Sequence, residues 1–234
     1  MNKANPTEVA QGYAADLGDL KVYYNRVSTS LSGTAHEKTD IATLAENTLL
    51  AAAVGLETFL SDWVLAAINK DASGFIAHEK NRIRTSITDK FGAWHAGAVE
   101  FEPGKHVKLT DLRSILDPDG WNLSFKDFET FKQRADQRLA PTYRAKIAAL
   151  TASDGLAFDA VKAMRNFMAH RSPASKATMN DGLIAVGGDA TIRDMGRSER
   201  GVNSLGKFLR TKVNGTSRLD LYLDWLVALA GKLA

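Results

Sequence analysis

The segment AMRNFMAHRSP, residues 163–173, contains three polar side chains whose types and spacing could do chemistry: Arg165, Asn166 and His170. Arginine presents a planar, permanently charged fork that matches phosphate oxygens and stabilises charge developing on them. Imidazole titrates near neutral pH, so it can take up or release a proton during a reaction. Asn166 and His170 stand four apart and share a helix face, which places the amide to orient the ring by a hydrogen bond. Arg followed four to six residues later by His is expected by chance about once in a chain of this length. The tighter Arg-Asn-x-x-x-His has an expectation of roughly 1%.

The surrounding apolar residues set a geometric problem. Phe158, Val161, Met164 and Met168 recur at helical spacing and predict one buried stripe. Pro173 cannot continue that helix, so the motif occupies its last two turns. At about 100° per residue Arg165 falls inside the stripe, where a cation needs a partner or a polar cleft. Glu57 and Asp62 are candidate partners for a purely structural ion pair. His170, at a helix C-terminus, would interact favourably with the helix dipole whatever its function. Arg165 and His170 lie five apart, about 140° round a straight helix and about 7.5 Å along it. Two arrangements would let both reach one phosphate: the helix loosens before Pro173, or a second copy of the motif faces the first.

The elements that must position these residues read as helices. Residues 7–31 predict a first amphipathic helix. Residues 40–69 predict the strongest, with Leu44, Leu49, Val54, Leu56, Phe59, Leu60, Trp63, Val64 and Ile68 as core. A more charged helix follows over 75–91, then a loop over 100–110 with room for a short strand. Next come a short capped helix, a turn at Asp117-Pro-Asp-Gly, and a helix over 125–139 with Ser124 as N-cap. Pro141 starts a short helix and Asp154 opens the one bearing the motif. Residues 172–197 read as a long irregular excursion, in which GLIAVGGDATIRD could form a hairpin. A helix over 198–212 precedes a turn at NGTSRLD. Ser217 and Asp220 then predict a capping box for a last helix striped by Leu219, Tyr222, Leu223, Leu226, Ala230 and Leu233. The expectation is an all-α fold in a single domain, 1–234.

Composition narrows the function classes. None of the 234 residues is cysteine, which excludes disulfides, zinc–thiolate sites and thiol nucleophiles and points to a reducing, cytoplasmic setting. The first twenty residues lack the apolar core of a signal peptide. Glu46, Asn47, Glu57 and Asp62 interrupt the most apolar stretch, which argues against a membrane span. Net charge is +3, but residues 159–218 contain 11 Lys and Arg against 5 Asp and Glu, leaving the rest at −3. That surplus suits a phosphate-bearing partner, and equally a solvated basic face. His36, His78, His95 and His106 show no metal-ligand spacing and read as surface or loop residues. Trp63, Trp94, Trp121 and Trp225 read as core.

MRNFMAHR resembles the Arg-x4-6-His signature of HEPN domains, in which a polar residue, often Asn, commonly follows the Arg. LAENTLLAAAVGLETFLSDWVLAAINKD resembles the first long helix of HEPN proteins of the RiboL-PSP type, and LTDLRSILDPDGWNLSF their connecting region. The likeness covers roughly residues 40–171, with a HEPN-like core over about 40–234. It implies a helical, homodimeric, metal-independent endoribonuclease without cofactor, typically a toxin or phage-defence effector held by an antitoxin protein. Arg165 and His170 fall on the signature positions and Asn166 on the polar one. One branch of the family has Tyr two residues after the His; Ser172 stands there, which sets this chain apart from that branch. In such chemistry the 2′-OH of RNA is the internal nucleophile, so DNA should resist. Arg171, Arg193, Arg197, Arg200, Lys207 and Arg210 are the candidates for binding the RNA backbone. The alternatives are a catalytically silent HEPN module that binds a nucleotide or partner, and a helical scaffold in which Arg165 and His170 are structural.

Overall fold

Helix α1 (Pro6–Ser30) begins where Asn5 accepts from the Thr7 N–H and Pro6 takes the first helical position. Its buried residues lie along α2 (Glu37–Lys70), the long helix of the computed structural model, which describes residues 3–101 and 106–234. By length and composition α2 could cross a membrane, but 61% of its most apolar window is buried inside the protein. Leu49, Leu56, Trp63 and Ile68 are fully enclosed, and the Trp63 indole N–H donates to the Leu233 carbonyl at 2.9 Å. Val54, expected in the core, is instead 45% exposed.

After α3 (Ser73–Phe91) and α4 (Ala93–Ala98), the chain forms α5 (Leu109–Leu116), α6 (Phe128–Arg138) and α7 (Pro141–Ala148). Four of the residues expected to form a loop, 102–105, lie outside the described residues; those flanking them at 99–101 and 106–108 form no strand. Lys108 precedes α5 without a side-chain cap. The turn after it is present, with the Gly120 N–H donating to the Asp117 carbonyl at 3.1 Å. Asp127, not Ser124, caps α6, accepting from the Thr130 N–H at 2.8 Å. The Ser124 carbonyl is occupied by Arg134 at 2.7 Å, and residues 122–125 form neither helix nor strand.

Helix α8 (Ala152–His170) carries the motif. Thr151 and Asp154 form its capping box, so the helix begins just before the expected Asp154. Phe158, Val161, Met164 and Met168 are all buried, as their spacing predicts. Asp154 is also buried, and its carboxylate receives Lys232 at 2.7 Å and the Trp225 indole at 3.3 Å. Burial alone would raise its pKa. The Lys232 and Thr151 hydrogen bonds outweigh that and hold it below the usual carboxylate value.

Residues 172–188 are not an irregular excursion: α9 (Pro173–Gly188) occupies them, capped by Ser172 with Pro173 as its first residue. Three glycines weaken this helix locally, by about 1 kcal/mol each relative to Ala, yet one of them, Gly187, lets it pack closely. A Cβ at Gly187 would lie 2.1 Å from the Arg197 carbonyl oxygen, and one at Gly196 would lie 2.2 Å from the Gly187 nitrogen. Close tertiary contact outweighs propensity here. A 3₁₀ turn (Arg193–Met195) follows, and the helix expected over 198–212 shrinks to α10 (Leu205–Arg210). In the irregular segment before it, Asn180 takes the Val202 N–H at 2.6 Å, a side-chain partner in place of a helical one.

Strands β1 (Lys212–Val213) and β2 (Thr216–Ser217) are the only strands among the described residues. They pair antiparallel through Asn214 and Gly215, both at positive φ, as a two-residue hairpin requires. Ser217 then caps α11 (Arg218–Leu233), accepting from the Asp220 N–H at 3.1 Å. Its hydroxyl in turn donates to the Asp220 carboxylate at 2.6 Å. The whole predicted stripe of α11 is buried. The chain is predominantly helical, and its all-α character matches the sequence expectation.

Candidate active site

Arg165 leaves the packed face of α8 part-way along and turns its guanidinium towards α2. There Nη2 lies 3.4 Å from Glu57 Oε2, while Lys162, one turn earlier, lies 3.3 Å from Glu57 Oε1. Of the two carboxylates expected to partner Arg165, Glu57 does so and Asp62 pairs with Arg113. Nη1 of Arg165 donates to Asn166 Oδ1 at 3.2 Å. Its Nε is buried with no partner among the described residues. The cation is thus half-buried, shared between a carboxylate and an amide.

Asn166 therefore orients Arg165 and not the imidazole. Among the described residues no hydrogen bond joins Asn166 to His170, which corrects the expected role of the amide. His170 is the last residue of α8 and is exposed. Helix α8 is regular α-helix through His170, and only Arg171 departs, into the left-handed region at φ 49°. The helix does not loosen before Pro173. On one chain, Arg165 and His170 keep the divergence of an ideal helix.

Arg165 and Asn166 open into a groove of about 400 Å³ between α2, α8 and the irregular segment before α6. Val54, Glu57 and Thr58 form one wall and residues 121–126 the other; Lys162, Arg165 and Asn166 form the floor. Lys126, Lys162 and Arg165 against Glu57 leave it at net +2. The exposed Val54 stands at this groove. Trp121, expected in the core, stands at its edge and is 84% exposed. Trp94 is likewise exposed, at 79%, while Trp63 is buried as expected and Trp225 packs half-buried against the core. The four remaining histidines are exposed or half-exposed, and the described residues include no group of three potential metal ligands.

The remaining basic candidates divide into three groups. Arg171 stacks over the Phe167 ring, 5.0 Å from its centroid, and pairs with Glu46. The other Glu46 oxygen accepts from the Gly206 N–H at 2.8 Å, so one carboxylate joins the end of α8 to the start of α10. Arg197 and Lys207 line a second cleft of about 370 Å³. Arg193, 4.0 Å from Asp194, lines an adjoining one with Arg197. Arg200 and Arg210 line neither. Arg218, which sequence reasoning did not single out, lines both, its guanidinium 4.6 Å above the Phe208 ring. Burial, aided by the nearby Arg197, lowers its pKa. Arg218 at the hairpin's end, one residue past the Ser217 cap, was a signal for this placement.

No protein-family model, curated protein or solved structure matches the chain.

Proposed function

We propose that this protein is a metal-independent endoribonuclease of HEPN type, acting as a homodimer. The observation that carries the reading is the pairing on α8 of a half-buried arginine facing a net-positive groove with an exposed histidine five residues on. In the proposed reaction the 2′-oxygen of RNA attacks the adjacent phosphorus and the bond to the 5′-oxygen breaks, leaving a 2′,3′-cyclic phosphate. The 2′-OH proton passes to a base and the departing 5′-oxygen receives a proton from an acid; His170 is suited to either transfer. Arg165 stabilises the charge that gathers on the phosphoryl oxygens. Because α8 stays straight through His170, we assign the two groups of one site to different protomers. The two-fold symmetry of a homodimer would supply two such sites. An antitoxin protein would bind over this end of the molecule.

A second reading draws support from Glu57. Its contacts with Lys162 and Arg165 form an ion-pair cluster that would stabilise a scaffold with no catalysis at all. Single-stranded RNA incubated with wild-type protein in EDTA separates the two. The nuclease reading expects cleavage to cyclic-phosphate ends, lost in His170→Ala and Arg165→Ala. Cleavage that requires Mg²⁺ or Mn²⁺, or that survives in His170→Ala, would sink it. The scaffold reading expects no cleavage, and a lowered melting temperature for Arg165→Ala only.

A further inference from the structure

We infer that the groove beside Arg165 seats one nucleotide of a single-stranded polynucleotide, its base stacked on Trp121 and its phosphate held by Lys126 and Arg165. The inference deepens the nuclease reading, on which the identity of the polymer as RNA rests.

Trp121 is left in water by design of the loop rather than by looseness. Its neighbours Leu123 and Phe125 are buried. The Leu123 N–H donates to Ser61 Oγ at 2.9 Å and the Asn122 N–H to the Asp117 carboxylate at 3.1 Å. Asn122 adopts φ 68°, which reverses the chain between the exposed indole and the buried Leu123. The residues that follow Trp121 are thus pinned to the core, and the indole is held out beside the groove. An indole face held out beside a cationic groove is the platform on which a base of a single strand stacks.

The chemistry of the groove complements the indole. Lys126 has no ion pair among the described residues, and Lys162 and Arg165 share a single carboxylate. A flat aromatic face beside a cationic groove matches the two halves of a nucleotide, base and phosphate. The volume of about 400 Å³ suits one such unit. Stacking is indifferent to base identity, so any sequence should bind. One stack multiplies affinity by only about 5- to 150-fold, too little to hold a free nucleotide at micromolar concentration but fitting for one link of a strand.

The test uses an oligodeoxythymidylate of about 12 nucleotides, which has no 2′-OH and is no substrate. It should quench the intrinsic tryptophan fluorescence of the full-length protein. Trp121→Phe should abolish that quench while retaining most of the affinity, measured by anisotropy of a labelled oligonucleotide. Trp121→Ala should weaken affinity about 5- to 150-fold, and Trp94→Phe should keep the quench. A quench that persists in Trp121→Phe, or unchanged affinity in Trp121→Ala, overturns the stacking assignment. Thymidine monophosphate binding as tightly as the oligonucleotide overturns the strand. Failure here leaves RNA cleavage untouched, and an intact quench with no cleavage of RNA would refute the nuclease reading alone.

Discussion

Replacing Glu57 by Gln should move stability and nucleic-acid affinity in opposite directions. The carboxylate lies 3.3 Å from Lys162 and 3.4 Å from Arg165, whose side chains are 13% and 31% exposed. Partly exposed ion pairs contribute about 0–1 kcal/mol each, so their loss should cost up to about 2 kcal/mol. For a chain of this size that lowers the melting temperature by up to about 8 °C. A phosphate seated on Arg165 would stand about 6 Å from the same carboxylate. Their repulsion is about 0.7 kcal/mol at the dielectric of water and about 2.8 kcal/mol at an effective value of 20. In a groove open to solvent the lower part of that range applies, so Glu57→Gln should tighten oligonucleotide binding roughly 3- to 10-fold at low salt. Thermal melting and fluorescence anisotropy of the same preparation check both signs. Unchanged or weaker binding would show that no phosphate sits beside Glu57, and with it would go the assignment of Arg165 as a phosphate-binding residue.

Arg165→Ala and His170→Ala homodimers should each be inactive and regain RNA cleavage when mixed and allowed to exchange subunits. Confirmed exchange without activity would refute the cross-protomer site, and a monomer at micromolar concentration would refute the dimer. RNA affinity should fall steeply with salt, since phosphate contacts release counterions, and substituting both Arg197 and Lys207 by Ala should flatten that dependence. An unchanged slope would place the RNA path elsewhere. Asp154→Asn should destabilise the fold by about 1–3 kcal/mol at pH 7 by weakening the Lys232 hydrogen bonds and the α8 capping box. Because the native carboxyl is held below the unfolded value of about 3.9, its stabilisation is complete above that value and lost as pH falls through the native one. The difference between wild type and variant, followed by denaturant titration, should therefore shrink below about pH 4; a difference independent of pH would exclude an ionised Asp154 as its cause.

Much of the helical framework was legible because its signals are local. The stripe of α11, most of the core of α2 (though not Val54) and the buried line from Phe158 to Met168 follow from spacing alone. That Arg165 needs a partner or a polar cleft was legible too, but Glu57 and Asp62 both qualified as its partner and only the fold selects Glu57. Helix α9 was hidden by Gly182, Gly187 and Gly188, whose low propensity reads as loop until the close approach of residues 196–197 is known. Met179, Leu183 and Val186, buried at spacings of four and three, were the signal that outweighs those glycines. The exposure of Trp121 was hidden for the converse reason. Residue type predicts burial on average, and only the anchoring of Leu123 and Phe125 shows that the indole faces outward. Asn166 illustrates a further limit: spacing gave two neighbours on one face, and the stronger donor took the amide.

Ser172 and Pro173 give the end of α8 a mechanical character. Ser172 caps α9 with Pro173 at its first turn, only two residues after His170 closes α8. Arg171 between them is fixed by its pairing with Glu46 and its stacking on Phe167. The histidine is therefore mounted on a rigid elbow between two packed helices, with no hinge of its own. A protein built this way has no backbone hinge between α8 and α9 that could carry residue 170 out of line. Control of the proposed activity would have to come from outside, either by shielding the elbow or by keeping two copies apart.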